Sequence, residues 1–211
     1  MKTVLSLFGI LSLSLASTAL AEDGFVQIFN GEDLTGWKVN KENPDSVSVK
    51  DGVMVVAGPR THVFYDGAVG DHDFKNFEFK CKVKTTPGSN SGIYFHTEYQ
   101  DSGWPDKGYE AQVNNTHKDP RKTASLYAVE DNHEAPVKDD EWFDYHIKVE
   151  GKRITLSING KVIIDFTESD DNMGHLKKMP GRKLSSGTIA FQAHDPDSAA
   201  YYKDIYLKVN D

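Results

Sequence analysis

Three short runs of this sequence alternate apolar residues with polar ones that carry more chemistry than an ordinary surface strand. In Gly92-Ile93-Tyr94-Phe95-His96 the polar positions are Tyr94 and His96. In Tyr109-Glu110-Ala111-Gln112-Val113-Asn114 they are Glu110, Gln112 and Asn114, and in Thr188-Ile189-Ala190-Phe191-Gln192-Ala193-His194 they are Gln192 and His194. Residues two apart on a strand share a face. The apolar set therefore turns to a core and the polar set to the opposite side. A solvated strand face carries Lys, Thr and Glu, as the stretch from Glu78 to Lys84 does. Amides, imidazoles, one tyrosine and one carboxylate offer directional hydrogen bonds to a neutral, hydroxyl-rich ligand, and aromatic rings cover apolar sugar faces. A carbohydrate is the partner such a face selects, provided the three strands lie in one sheet.

Other chemistries find little support. His133-Glu134-Ala135-Pro136-Val137 begins like a zinc-protease helix, but position 137 is Val and Pro136 would break the helix. No Gly-rich phosphate loop and no G-x-S-x-G elbow occurs. Conventional glycosidases use two carboxylates about 5 to 9.5 Å apart. The polar faces offer only Glu110, with Asp101, Asp106, Asp131 and Asp195 in turns and loops. The formal net charge of −8, from 24 Lys+Arg against 32 Asp+Glu, argues against a nucleic-acid partner. The single cysteine, Cys81, cannot form an intrachain bridge.

The elements that must position these residues are strands. Phe77 to Lys84 alternates cleanly and places Phe77, Phe79, Cys81 and Val83 inward, so Cys81 reads as a small core residue. Ser46–Lys50 and Val53–Val56 flank the turn pair Asp51-Gly52. Ile154–Ile158 and Val162–Phe166 flank Asn159-Gly160, a strong two-residue hairpin signal. Tyr145, Ile147 and Val149 add a preceding strand, and Ile205, Leu207 and Val209 a last one. Ser169 to Arg182 shows no apolar face and is expected to be a surface loop. Trp104 and Trp142 are expected in core or loop packing unless they line an open sugar groove. Short strands at this spacing predict one all-β domain, an antiparallel two-sheet β-sandwich, over residues 22–211. Residues 1–21 read as a signal peptide: a basic start at Lys2, an apolar stretch from Val4 to Ala16, and Ala19-Leu20-Ala21 as the cleavage site. The apolar run is short for a membrane span, so a periplasmic or secreted protein is expected.

Four segments, in order, resemble the 3-keto-disaccharide hydrolase domain family. They are Phe29-Asn30-Gly31-Glu32-Asp33-Leu34-Thr35-Gly36-Trp37, Asn90 to His96, Gly108 to Val113 and Gly187 to His194. The resemblance runs from about Phe25 to Val209 and implies a concanavalin A-like jelly roll acting on 3-keto-glycosides. It implies further that Glu110, Gln112 and His194 lie on the concave sheet holding the substrate. Departures are His96, where the family often carries Arg, and a loop from Asp195 to Ala200 where the family is compact. A C3 ketone acidifies the C2 proton, so one base can remove it while the C1 substituent leaves. Glu110 and His194 are the expected catalytic pair, one as base and the other as acid. Tyr94, His96, Gln112, Asn114 and Gln192 are the expected substrate-binding residues. His96, Glu110 and His194 are alternatively candidate ligands of a divalent metal. The rival readings are a non-catalytic carbohydrate-binding module and a conventional two-carboxylate glucanase, the latter lacking an E-x-D-x-x-E strand.

Overall fold

The computed structural model describes residues 22–170 and 174–210, so the expected signal peptide lies outside the described residues. Thirteen strands follow in chain order: β1 (Val26–Gln27), β2 (Trp37–Val39), β3 (Val47–Lys50), β4 (Val53–Ala57), β5 (Thr61–Tyr65), β6 (Asn76–Thr85), β7 (Ser91–Thr97), β8 (Tyr109–Val113), β9 (Phe143–Glu150), β10 (Arg153–Ile158), β11 (Lys161–Thr167), β12 (Thr188–Ala193) and β13 (Ala199–Asn210). They form two antiparallel sheets. One runs β11-β10-β9-β6-β13-β4-β3, with β1 joined to β13; the other runs β2-β5-β12-β7-β8. The expected all-β sandwich is therefore the architecture.

The local signals act as their chemistry dictates. Asn159 and Gly160 both adopt positive φ, 50° and 77°, which is the geometry of a type I′ turn between β10 and β11. Asp51 and Gly52 do the same between β3 and β4. The core between the sheets is filled by the alternate residues of each strand. Phe77, Phe79, Cys81 and Val83 from β6 meet Ile93, Phe95, Tyr109, Ala111, Ile189 and Phe191 from the smaller sheet. Phe191 stacks on Trp37 at 5.1 Å and on Tyr202 at 4.1 Å between ring centroids. Aromatic pairs of this kind add about 0.5–1.5 kcal/mol each beyond simple burial. Burial pushes the Cys81 thiol well above its ordinary proton affinity, which leaves it inert as a nucleophile.

The consequence for function lies on the other side of the smaller sheet. On four of its five strands the outward-facing residues are not solvated: every residue of β5, β7, β8 and β12 is buried. Connections cover this face, with residues 104–106 between β7 and β8 and residues 178–182 between β11 and β12 walling the cavity above it.

Candidate functional site

The outer face of β7, β8 and β12 forms the floor of a cavity of about 720 Å³. Tyr94, Glu110, Gln112, Gln192 and His194 line it, so five of the seven sequence-predicted residues come together there. The strand pairing explains why. Tyr94 sits opposite Glu110 and Gly92 opposite Gln112 across β7 and β8, while Ala190 and Phe191 pair with Tyr94 and Ile93.

Glu110 is the centre of this group and is only 4% exposed. The Gln192 amide donates to its Oε1 at 3.3 Å and to the Tyr94 hydroxyl at 3.0 Å. The Gln112 amide, in the orientation that satisfies its neighbours, donates to the same Oε1 at 3.2 Å. Arg182 Nη1 stands 3.5 Å from Oε2 and is itself buried. Burial lifts the proton affinity of the Glu110 carboxyl above its ordinary range, while Arg182, Tyr94 and Gln192 pull in the opposite direction. Room for this carboxylate is made by Gly92: a Cβ there would lie 2.6 Å from Oε1.

His194 follows the end of β12 on the same face. Its Nδ1 lies 2.7 Å from Asp195 Oδ2, which also accepts the Ser198 hydroxyl at 2.8 Å. Asp195 is thus the orienting partner of this imidazole, and the 195–200 loop supplies both Asp195 and Ser198. Trp104 packs against His194 at 5.2 Å between rings.

Two expected binding residues are elsewhere. His96 occupies a β-bulge: Thr188 pairs with Thr97 and Ile189 with Phe95, leaving His96 unpaired at φ 54°. The bulge turns its ring away from the cavity and onto Phe77 and Phe95. Both nitrogens are engaged, Nε2 with the Lys75 carbonyl at 2.9 Å and Nδ1 with the Ser185 N–H at 3.2 Å. Asn114 turns into its own loop, donating to the carbonyls of Asp119 and Arg121. The metal set His96, Glu110 and His194 is therefore not assembled. A different group is: His117, His194 and Asp195 each offer a ligand atom within 4.8 Å of the others and could hold a metal.

Arg182 is the main residue the sequence reading missed. The segment from Ser169 to Arg182 carries no periodic apolar face, yet Lys178 to Arg182 form one wall of the cavity. The Gly181 carbonyl accepts the Gly108 N–H at 2.9 Å, and a Cβ at Gly181 would lie 2.0 Å from the Asp106 carbonyl oxygen. A glycine next to a lone arginine, in a loop facing a strand with one unpaired carboxylate, was the available signal. Trp104 lines the cavity rim, whereas Trp142 sits on the other sheet beneath Lys84 and Lys203.

The profile of the 3-keto-alpha-glucoside-1,2-lyase-like domain matches residues 24–208. The chain belongs to that family. A 3-keto-disaccharide hydrolase of Bacteroides thetaiotaomicron is 35% identical over 79 residues, which is 35% of this chain and 27% of that protein. The chain therefore matches about a quarter of the length of that curated relative. Among solved structures, a candidate glycosyl hydrolase from Parabacteroides distasonis superposes with a TM-score of 0.76 at 24% identity, covering 92% of this chain and 99% of its own. The carbohydrate-binding module CBM66 of Bacillus subtilis shares the fold at a TM-score of 0.55 and 12% identity, covering 82% and 95%.

Proposed function

We propose that this lyase-like domain is a glycoside-cleaving enzyme that acts on 3-keto-glycosides by elimination across C1 and C2. The observation that carries the reading is Glu110: one buried carboxylate of raised proton affinity, faced by a buried arginine, at the floor of a cavity. A carboxylate so placed is matched to abstraction of a proton from a carbon acid, because a stronger base accepts that proton more readily.

In the proposed reaction Glu110 takes the C2 proton and the electron pair moves into the C2–C3 bond, giving an enolate on the C3 oxygen. Arg182 and the Tyr94 hydroxyl supply the positive charge and donor that this oxygen needs as it forms. The enolate then collapses to a C1–C2 double bond and the C1 oxygen leaves, protonated by His194. The Asp195 carboxylate, 2.7 Å from its Nδ1, holds the ring in the orientation this step needs. Addition of water across the new double bond gives net hydrolysis.

A binding module of the same fold would present an open aromatic groove. Here, among the described residues, Trp104 is the exposed aromatic of the lining, Tyr127 is half-buried, and Glu110 and Gln192 are buried. A two-carboxylate glucanase would need a second acid; Asp106 reaches the cavity only at its exposed rim.

The test is incubation with a 3-keto-glucoside and with its unoxidised parent, for native protein and Glu110→Gln. Turnover of the keto compound alone, reduced about 10²–10⁴-fold in Glu110→Gln, is the expected result. Cleavage of the unoxidised parent, or of neither, refutes the reading. A parallel arm with chelator assigns His117, His194 and Asp195: loss of turnover restored by Mn²⁺ gives them a metal, and unchanged turnover leaves them as a hydrogen-bonding group. Export is proposed from residues 1–21 alone, and N-terminal sequencing of the mature protein from its host should begin at Glu22.

A further inference from the structure

Beyond the cavity, the same sheet face carries a second polar group that the fold does not satisfy. His62 on β5 is completely buried, and neither of its ring nitrogens has a hydrogen-bond partner. It pairs directly across the ladder with Gln192, whose Oε1 is likewise buried and unpartnered although its Nε2 is fully used. Orphaned buried polar atoms are rare because each keeps the cost of leaving water without a compensating bond. Two orphans side by side, one with a donor and acceptor and the other an acceptor, match what a hydroxyl group offers.

Gln192 lines the cavity, while His62 is packed among Phe64, Tyr94 and Trp104. The Trp104 ring stands edge-on to His62 at 5.8 Å between centroids, and is 42% exposed on its other side. Its backbone is strapped in place, with the Trp104 carbonyl accepting Gln100 Nε2 at 2.8 Å and the Gly103 N–H donating to Glu42 at 2.9 Å. The ring itself has only packing contacts, with Arg60 over one face at 4.7 Å. Rotation about the Trp104 side-chain torsions would therefore uncover His62 without moving the loop.

We propose that His62 reads a hydroxyl of the bound glycoside on the side remote from the reacting carbon, together with Gln192 Oε1, and that Trp104 is the side chain that covers and uncovers it. Gln192 reaches Glu110 Oε1 through its Nε2 at 3.3 Å, and His62 lies one strand further on, so His62 addresses the part of the ligand on the β5 side of the sugar held at Glu110. The assignment rests on the glycoside reading above.

The experiment uses Glu110→Gln protein, so that binding is measured without turnover, with His62 native or replaced by Phe or Gln. The probes are a 3-keto disaccharide and methyl 3-keto-glucoside, which lacks the second ring. His62→Phe should weaken the disaccharide about tenfold, the loss of roughly one hydrogen bond, and leave the methyl glycoside within twofold. It should not lower the melting temperature, since an apolar ring suits an apolar enclosure. His62→Gln should recover part of the disaccharide affinity. Equal effects on both probes, no effect on either, or a lowered melting temperature in His62→Phe overturns the proposal while leaving the glycoside reading intact. Failure of both probes to bind native-His62 protein overturns the glycoside reading, and the role of His62 with it.

Discussion

Gly92 offers the sharpest separation of stability from activity in this protein. Its φ lies outside the left-handed region, so alanine is compatible with the backbone of β7. Replacing glycine by alanine at such a position ordinarily stabilises by about 0.4–1 kcal/mol, because the unfolded chain loses freedom. The added methyl, however, would lie 2.6 Å from Glu110 Oε1 and 3.0 Å from its Cγ. Van der Waals contact requires a retreat of the carboxylate by roughly 0.7 Å. That movement breaks the 3.3 Å contact from Gln192 and alters the 3.5 Å separation from Arg182. Misplacement of a catalytic group by about 1 Å costs on the order of 10²-fold. Gly92→Ala should therefore lose about 10- to 100-fold in kcat on a 3-keto-glucoside and melt within a few degrees of the parent. Gly174→Ala is the control, since nothing lies within 4 Å of a Cβ there. Steady-state kinetics beside thermal melts decide the matter. Full activity in Gly92→Ala would show that the exact seat of the Glu110 carboxylate is irrelevant and would undo the assignment of Glu110 as base.

Further expectations concern the neighbours. Arg182→Met removes a positive charge that favours ionised Glu110; the acid limb of the pH profile of kcat/KM should move to higher pH, and kcat should fall because the enolate loses its counter-charge. An unmoved limb would detach Arg182 from Glu110. Gly181→Ala, blocked by the Asp106 carbonyl at 2.0 Å, should lift the 178–182 wall and reproduce the Arg182→Met kinetics, with faster proteolysis of that loop as the structural readout. His62 is pushed down to about 3 by burial, with Glu42 opposing and Arg60 and His194 reinforcing the shift. Because the unfolded chain takes the proton first, the neutral His62 supports the fold fully above about pH 6.5, and that support is lost as pH falls toward 3. His62→Phe should flatten the loss of stability across this window, by up to about 5 kcal/mol, in denaturant melts at successive pH values.

What the sequence determined by itself was what a two-residue period can encode. The hairpins at Asp51-Gly52 and Asn159-Gly160, the inward sets of β6, β7, β8 and β12, the burial of Cys81, and the shared face of Tyr94, Glu110, Gln112, Gln192 and His194 all follow from local backbone geometry. These signals need no knowledge of distant chain. The tertiary structure decided the rest. A bulge interrupts the period at His96 and sends its ring to the core, because Thr188 pairs with Thr97 while Ile189 skips to Phe95. Asn114 is claimed by the carbonyls of its own loop. Arg182 enters from a segment without periodicity, drawn in by a carboxylate that lies 72 positions earlier and by a glycine contact to residues 106–108. His62 hides in Thr61-His62-Val63-Phe64-Tyr65, where three consecutive apolar residues break the alternation that would have marked its face. Periodicity reports which way a side chain points from its own strand; which loop then covers that face, and which charge it delivers there, is set by long-range packing and by the cost of leaving a buried polar group unpaired.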